Sequence, residues 1–497
     1  MKPIKVYITS SLIGAVSLVS CENFLSVNPQ GVYTEENFFK NEQAVVDAVT
    51  GLYGMLIVED YVAFGDYVWD ICSDDMFRAG DHAEKEAIET FTFDAGNAQL
   101  KAGWSWKYEM ISRANNILMH LPAMSSLSET VKKRSLGETY FFRAFAYWWL
   151  YLPYGEVPVI LEDDVRHARY NKPKAAVDEV LRQIESDLLK AAGYLEDTSS
   201  AGRVNKGTAY AYLAQLYIHW SCLPGQEDKV EKAIEAGTKV TGNSAYRLSD
   251  DFRANFRQST EGLPEMLLYV TSSSSWRNTS TIYYFSPRSL GGWNFFHPLP
   301  ALYEAFAGDP RREMTLWAEG DRIQVGAEWI DYDASSSETG YHFNKYTTFT
   351  PDGLLNFDLL IPLMRSADVY LLVAEAKIRR SGAGAGDPEI NAVRARASLP
   401  PLSGAGKEEL MKERRLELAG ENRRHFDLVR WDKIGWIDLV DLYARPSSSH
   451  TADRGRKNFQ RPRHYFFPLP QEEIDKSGGV LTQNENYRMQ GTEECLK

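Results

Sequence analysis

The sequence predicts an all-α protein built from tetratricopeptide-like helical hairpins, which carry irregular loops and short β-like pieces. Apolar residues recur at intervals of three and four between Val177 and Leu195, which is the period of an amphipathic helix. The span from Lys206 to Val240 has roughly the length of one tetratricopeptide repeat. A turn-rich, aromatic stretch at about 263–356 interrupts this helical pattern, and the earlier loop Asp66–His82 has the same character.

The remaining helices are predicted from the same apolar spacing. One helical hairpin cannot bury its own apolar face, so we expect at least three hairpins to stack and share a core. Helical segments are predicted at Trp104–Leu121, Glu129–Tyr151, Ala209–Trp220, Val230–Gly237, Ser366–Arg380, Pro388–Ser398 and Glu408–Arg424. Pro224-Gly225 is expected to end the helix before it. Short β-like pieces are predicted at Met266–Val270 and Tyr341–Thr347.

The domain organisation follows from the absence of linkers in the sequence. No Pro-, Ser- or Gly-rich segment is long enough to separate two domains, and Gly382–Gly386 lies between two helical patterns. This short Gly-rich piece is predicted to be a loop, because a phosphate cradle needs a strand before it and a helix after it. A single domain is therefore predicted over residues 21–497, with an aromatic loop insertion at about 263–356.

The N-terminus has the layout of an export signal. Lys2 and Lys5 precede an uncharged, largely apolar run at residues 6–19, which is too short to span a bilayer. The run ends in Leu18-Val19-Ser20-Cys21, which resembles the lipobox of bacterial lipoproteins. Residues 1–20 are therefore predicted to be a lipoprotein signal peptide and Cys21 the lipidated residue. Several acyl chains on one residue give durable membrane anchoring.

The charge balance excludes one class of partner. The chain carries 55 basic and 68 acidic residues, and removal of residues 1–20 takes away two lysines, which leaves a net charge of −15. Phosphate-backbone binding needs a basic surface, so no nucleic-acid partner is expected.

The other cysteines, Cys72, Cys222 and Cys495, allow at most one disulfide. No metal site or cofactor is predicted, and a contribution from calcium stays open.

Several long motifs together resemble the SusD/RagB family, the glycan-binding outer-membrane lipoproteins of Bacteroidetes. They occur in the family's order and extend from Cys21 to Tyr487. The motifs are CENFL at Cys21–Leu25, RAFAYWWLYLPYGEVPVI at Arg143–Ile160, LLVAEAKIRR at Leu371–Arg380, INAVRARASLPPL at Ile390–Leu402, ERRLELAGENRRHFDLVRW at Glu413–Trp431, FFPLPQEEI at Phe466–Ile474 and QNENY at Gln483–Tyr487.

The resemblance implies a fold, a location and a partner. Four tetratricopeptide-like helix pairs would form the back of the molecule, and irregular loops would carry the ligand face. The protein would be anchored by lipid in the outer membrane and exposed at the cell surface. There it would bind oligo- or polysaccharide and deliver it to a SusC-like, TonB-dependent transporter. Two alternatives remain open, which are a SusD-like receptor for another cargo such as peptide, and a glycoside hydrolase.

Catalysis is not expected from the residues. The sequence contains no HExxH, GxSxG or Walker motif. The adjacent pair Asp74-Asp75 is a tempting candidate for a hydrolase, but neighbouring side chains point in different directions on a strand or a helix. The charged residues near the C-terminus are instead predicted to form a structural salt-bridge network. They are Glu413, Arg414, Glu417, Glu421, Arg423, Arg424, Asp427 and Arg430.

The aromatic insertion favours sugar over peptide as the ligand. Sugars place weakly positive C–H patches on the negative faces of aromatic rings, whereas peptides favour a strand edge or a deep charged pocket. Trp104, Trp106, Trp148 and Trp149 lie in periodic helices and are predicted to be core residues. The predicted ligand-binding residues are Trp276, Trp293, Tyr283 and Tyr284 from the insertion, and Trp69, Asp75 and Arg78 from an earlier loop.

Overall fold

Helices form most of the structure. The computed structural model describes residue 39 and residues 41–57, 67–80, 82–200, 202–257, 263–272, 280–444 and 457–488. Within these ranges the α-helices are α1 (Glu42–Gly54), α2 (Ala83–Thr90), α3 (Ala98–His120), α4 (Glu129–Tyr154), α5 (Glu162–Arg166), α6 (Val177–Tyr194), α7 (Lys206–Trp220), α8 (Lys229–Thr241), α9 (Thr281–Phe285), α10 (Pro300–Ala305), α11 (Arg312–Thr315), α12 (Ser366–Ser381), α13 (Asp387–Arg396), α14 (Lys407–Glu417), α15 (Arg424–Lys433), α16 (Leu439–Ala444) and α17 (Gln471–Lys476). The predicted all-α class is confirmed.

The long helices pack side by side in one row. Helix α3 contacts α4, α4 contacts α6, and the row continues through α7 and α8 to α12, which also contacts α13 and α14. Small residues allow close approach where helices cross. A Cβ atom on Gly237 of α8 would lie 2.2 Å from a methyl group of Val373 in α12. The predicted stack of hairpins is therefore present, and small side chains set its spacing.

Polar caps fix where several helices begin. The Ser128 side chain accepts a hydrogen bond from the Val131 amide at the start of α4, and Asn205 forms a capping box at the start of α7.

Two helix boundaries differ from the predictions. Helix α7 ends at Trp220, four residues before Pro224. The segment predicted as helical from Glu408 to Arg424 is interrupted by a loop between α14 and α15.

The strands are short and form four two-stranded antiparallel sheets within the described residues. They are β1 (Met76–Arg78), β2 (Met266–Thr271), β3 (Phe296–Pro298), β4 (Leu316–Trp317), β5 (Arg322–Val325), β6 (Glu328–Asp331), β7 (His342–Phe343) and β8 (Leu360–Arg365). The pieces predicted around Met266 and Tyr341 appear as β2 and as the shorter β7. Strands β1 and β3 pair, with Phe77 opposite His297. This pairing joins the early loop to the aromatic insertion.

A buried network of ion pairs ties the insertion to the helices. Arg365, at the end of β8, lies 2.5 Å from Glu265, 2.9 Å from Glu417 and 2.7 Å from Glu421. Glu417 also contacts Arg311 at 3.0 Å and pairs with Arg396. The side chains of Arg365 and Glu417 are fully buried. Segments that lie far apart in the chain therefore meet at two buried charges.

The predicted structural role of the charged C-terminal residues is confirmed. All eight make ion pairs with residues of the fold, including Arg414 with Asp368 and Arg430 with Glu375. Glu421 takes part from the loop after α14, and not from the helix that carries Glu413 and Glu417. The helix predicted over Glu408–Arg424 therefore carries two of the three glutamates.

The pKa of Glu417 shows which charge state the network stabilises. Burial alone would raise this pKa, but the guanidinium groups of Arg396, Arg365 and Arg311 hold it well below its usual value. A carboxyl group whose pKa is lowered in the fold stabilises the protein above its unfolded pKa of about 4.3. That stabilisation is lost as the pH falls through the folded pKa.

We predict that Glu417→Gln lowers the free energy of unfolding by about 3–5 kcal/mol, because it leaves buried arginine charge without its partner. Urea unfolding followed by circular dichroism measures the change. Glu408→Gln, at an exposed position on the same helix α14, is the matched control and should unfold close to wild type. Equal unfolding midpoints for Glu417→Gln and wild type would contradict the role assigned to the network.

Candidate functional site

A tight backbone turn shapes the aromatic insertion. After α9, the chain reverses through Gly291 and Gly292, so that the Trp293 amide donates to the Tyr283 carbonyl at 2.6 Å. The Asn294 amide donates to the Ser286 carbonyl at 3.0 Å. A Cβ atom on Gly292 would lie 1.9 Å from the Ser286 carbonyl oxygen. Only glycine allows this close approach, so the contact of Trp293 with α9 depends on a glycine at position 292.

The turn brings the side chains of Trp293 and Tyr283 together as an aromatic platform, the name used below for this ring pair. The two rings stack with centroids 4.9 Å apart and planes 14° from parallel. Trp293 is 37% exposed and Tyr283 is half-buried. Tyr284 meets the Trp293 ring edge-on at 5.2 Å, and Phe357 contacts Tyr283 at 4.8 Å. A partly exposed ring with support from other rings is a stacking surface for an apolar face of a ligand.

Polar groups lie at the border of the platform. The exposed Arg288 reaches the Trp293 carbonyl with its Nε at 3.4 Å. Asn294 donates to the Ser336 carbonyl at 3.1 Å and bonds with His342. Burial lowers the pKa of His342 to about 3, so this ring is neutral at physiological pH and Asn294 is held by an uncharged partner. The platform is thus bordered by hydrogen-bonding groups, with Arg288 as the charged side chain among them.

The structure brings together three of the four residues predicted from the insertion. Trp293 and Tyr283 form the platform, and Tyr284 supports it from below with only 5% of its surface exposed. Trp276 lies outside the described residues, as does the predicted lipidation site Cys21. Trp293 was the predicted residue that the structure leaves most open to a ligand. The binding roles themselves stay predictions.

The three residues predicted from the early loop do not face solvent, so their prediction as ligand contacts was wrong. Trp69 is 4% exposed, and its ring contacts Phe426 and Phe467 in the core. Asp75 pairs with Arg415 at 2.6 Å. The polar, turn-rich and aromatic character of this loop predicted these residues, and such local character does not distinguish buried side chains from a surface site.

Arg78 has a supporting place beside the platform. It is 1% exposed, and its guanidinium lies 4.1 Å from the centre of the Phe295 ring. The ring of Phe295 in turn lies 6.1 Å from that of Trp293. The pairing of β1 with β3 carries Arg78 to this position. It therefore packs behind the turn and has no solvent-facing surface of its own.

The two carboxylates of Asp74 and Asp75 are held by arginines. Arg424 lies 2.8 Å from Asp74, and Arg415 lies 2.6 Å from Asp75. Burial alone would raise the pKa of Asp74, but Arg424 and Arg415 hold it well below its usual value. Burial raises the pKa of Asp75. Each carboxylate already has a guanidinium partner, as expected for residues of a structural network.

A second exposed tryptophan was missed from the sequence. Trp329 in β6 is 54% exposed, more than Trp293. Its sequence signal was the alternation of polar and apolar residues on both sides of Gly326, as RIQV and EWID, which is typical of a hairpin. The core tryptophans Trp104 and Trp148 are buried as predicted.

Two further properties concern the described part of the chain. Within it, no helix combines the length and apolar character that crossing a membrane requires. The same residues include no group of three or more histidine, cysteine or acidic side chains placed to hold a metal ion. A cavity of about 530 Å³ lies elsewhere and is lined by residues such as Tyr108, Tyr170 and Lys172.

Family models match both halves of the chain. A model described as the SusD family matches residues 265–487, and one described as starch-binding associating with outer membrane matches residues 23–218. The chain belongs to the SusD/RagB family. The first match includes the platform and the buried ion network, and the second includes most of the helical row.

Relatives in the family match the chain over nearly its whole length. A SusD-like protein of Formosa agariphila is 26% identical over 97% of this chain and 100% of its own. The starch-binding protein SusD of Bacteroides thetaiotaomicron is 25% identical, over 98% of this chain and 100% of its own. Both relatives belong to the same family, and the ligand in the second name is that protein's own.

Solved structures show the same fold. A laminarin-binding SusD-like protein superposes with a TM-score of 0.72 and 28% identity, over 90% of this chain and 100% of that one. A SusD-like protein of Bacteroides fragilis gives a TM-score of 0.78 at 22% identity, over 91% and 99% of the two chains. The expected fold of the family is therefore confirmed.

Proposed function

We propose that this protein is a glycan-binding lipoprotein of the outer membrane, which captures oligo- or polysaccharide at the cell surface and delivers it to a SusC-like, TonB-dependent transporter. It binds its ligand and does not cleave it. The observation that carries the proposal is the aromatic platform, in which the partly exposed Trp293 stacks on Tyr283. Sugar C–H groups stack on such a ring, and polar groups at its border can form hydrogen bonds with the sugar hydroxyls.

The relatives support the same class of ligand. One matching family model is described as starch-binding and associated with the outer membrane, and one relative is named a starch-binding protein. A structural relative with 28% identity is described as laminarin-binding. These names support a glycan as the ligand class, and the platform supplies the surface on which one sugar ring would lie.

We predict that Trp293→Ala weakens glycan binding about five- to 150-fold, because a lost stacking contact costs about 1–3 kcal/mol by analogy with base stacking. The purified mature protein would first be screened in native gels that contain soluble starch, laminarin, xylan, mannan or galactan. Calorimetric titration with the retained polysaccharide then gives the affinity of wild type and variant. The thermal midpoint of Trp293→Ala should change little, because the ring is partly exposed.

Two matched variants separate binding from folding in this experiment. Tyr170→Ala removes an exposed ring on a cavity that shares no residue with the platform, and it should bind as wild type does. Trp148→Ala removes a buried ring and should cost about 3–5 kcal/mol of stability. Retention of no polysaccharide by the wild type would refute glycan binding, and the appearance of shorter sugars would indicate a hydrolase.

The proposed lipid anchor has its own test. We predict that Cys21→Ala moves the protein from the membrane fraction to the soluble fraction, because the thiol that would carry the diacylglycerol is gone. Detergent phase partitioning of cells that express each form measures this change. Equal partitioning of the wild type and Cys21→Ala into the aqueous phase would show that no anchor is attached at this residue.

The proposed transporter partner is tested separately. We predict that a large outer-membrane barrel of TonB-dependent type co-purifies with the protein after mild solubilisation of native membranes. Affinity purification followed by mass spectrometry identifies the partner, and the same preparation from a strain that lacks the tagged protein is the control. Repeated crosslinking that recovers the protein without such a barrel would contradict delivery to a transporter.

A further inference from the structure

The hairpin formed by β5 and β6 has two different faces. Its register pairs Ile323 with Ile330 and Gln324 with Trp329. Side chains alternate between the faces of a strand, so the isoleucines share one face and Gln324 and Trp329 share the other. Ile323 is 4% exposed, whereas Trp329 is 54% exposed. The isoleucine face therefore packs inward through Ile323, and the other face presents an indole ring to solvent.

The solvent-facing side combines the indole with hydrogen-bonding groups of balanced charge. Arg322 and Asp331 occupy this side at the end of the hairpin and lie 3.6 Å apart. The guanidinium of Arg322 is 5.8 Å from the Trp329 ring centre, and Gln324 is the residue that pairs with Trp329 across the hairpin. This side therefore offers a stacking ring, an amide and an ion pair whose two charges cancel. Such a surface favours a neutral, hydroxyl-rich ligand over an ion.

The buried side connects the hairpin to the aromatic platform. Ile323 and Ile330 belong to an apolar cluster that also contains Leu290 and Phe349. Leu290 lies in the turn that carries Trp293, three residues before it. Phe349 forms a β-bridge with Leu355, which packs in another cluster with Tyr283. The hairpin and the platform are therefore supported by contacting parts of the same insertion.

We propose that the solvent-facing side of the β5–β6 hairpin is a second sugar-stacking site, in which Trp329 binds a residue of the same neutral polysaccharide chain that occupies the aromatic platform. This inference rests on the proposed function and deepens it. Two linked contacts raise the affinity for any chain that is long enough to reach both rings, because the second contact becomes intramolecular. Short oligosaccharides engage the platform alone.

The test compares long and short ligands on single variants of the full mature protein. The probes are the polysaccharide retained in the native-gel screen and the trisaccharide prepared from it. We expect Trp329→Ala to weaken polysaccharide binding by at least about fivefold, the lower bound for one stacked ring, and to leave trisaccharide binding unchanged. Trp293→Ala should weaken both. Trp329→Phe, which keeps a ring, should retain most of the polysaccharide affinity.

Leu354→Ala is the matched control, because Leu354 is a 61% exposed apolar side chain without an aromatic face. It should bind both probes as wild type does. Equal polysaccharide affinities for Trp329→Ala and wild type, while Trp293→Ala is impaired, overturn the second site and leave the proposed function intact. A shift of Trp329→Ala to a smaller species in gel filtration means that the face is a self-association surface, which also overturns the proposal. Failure of the wild type to bind any polysaccharide overturns both.

Discussion

Glu417 and Arg365 are fully buried, and each holds partners from segments that lie far apart in the chain. Glu265 comes from the start of the insertion, Arg311 from its middle, and Arg396 from helix α13. Removing such charges from water is costly, so the pairs are satisfied only when all of these segments are in place. We infer that the network favours one packing arrangement of the insertion on the helices. An arrangement that separates these segments would leave a buried charge without its partner.

The aromatic platform depends on this docking through a short series of contacts. Tyr346 follows Lys345, which pairs with Glu421, and the hydroxyl of Tyr346 donates to the Gly420 carbonyl. The Tyr346 ring lies 4.9 Å from Phe285 of α9, and α9 also carries Tyr283. The ring pair that faces solvent is therefore built on a helix that packs against residues held by the network. A ligand that stacks there meets a preformed surface, which lowers the ordering cost of binding.

Relatives with about a quarter of their residues identical share this fold over nearly the whole chain. Different parts of the structure maintain the fold and face solvent, which is compatible with such sequence divergence. The helical row and the ion network keep the insertion in place, while Trp293 and Trp329 expose 37% and 54% of their surfaces to solvent. Loops on a rigid support can change their exposed residues at little cost in stability. The fold can therefore keep its core while the residues on its solvent-facing loops change.

The sequence by itself determined the positions of the long helices and the structural role of the charged residues around Glu417, because apolar periodicity and helical spacing are local properties of the chain. It also placed the platform within the aromatic insertion. Only the tertiary structure decided the exposure of Trp69 and Trp329, because neither lies in a long periodic helix. Trp69 lies in a short segment that Phe426 and Phe467, from distant parts of the chain, cover, while Trp329 lies on the outer face of a hairpin. The alternation around Trp329 indicates a hairpin, but neither local pattern shows which face the rest of the fold covers.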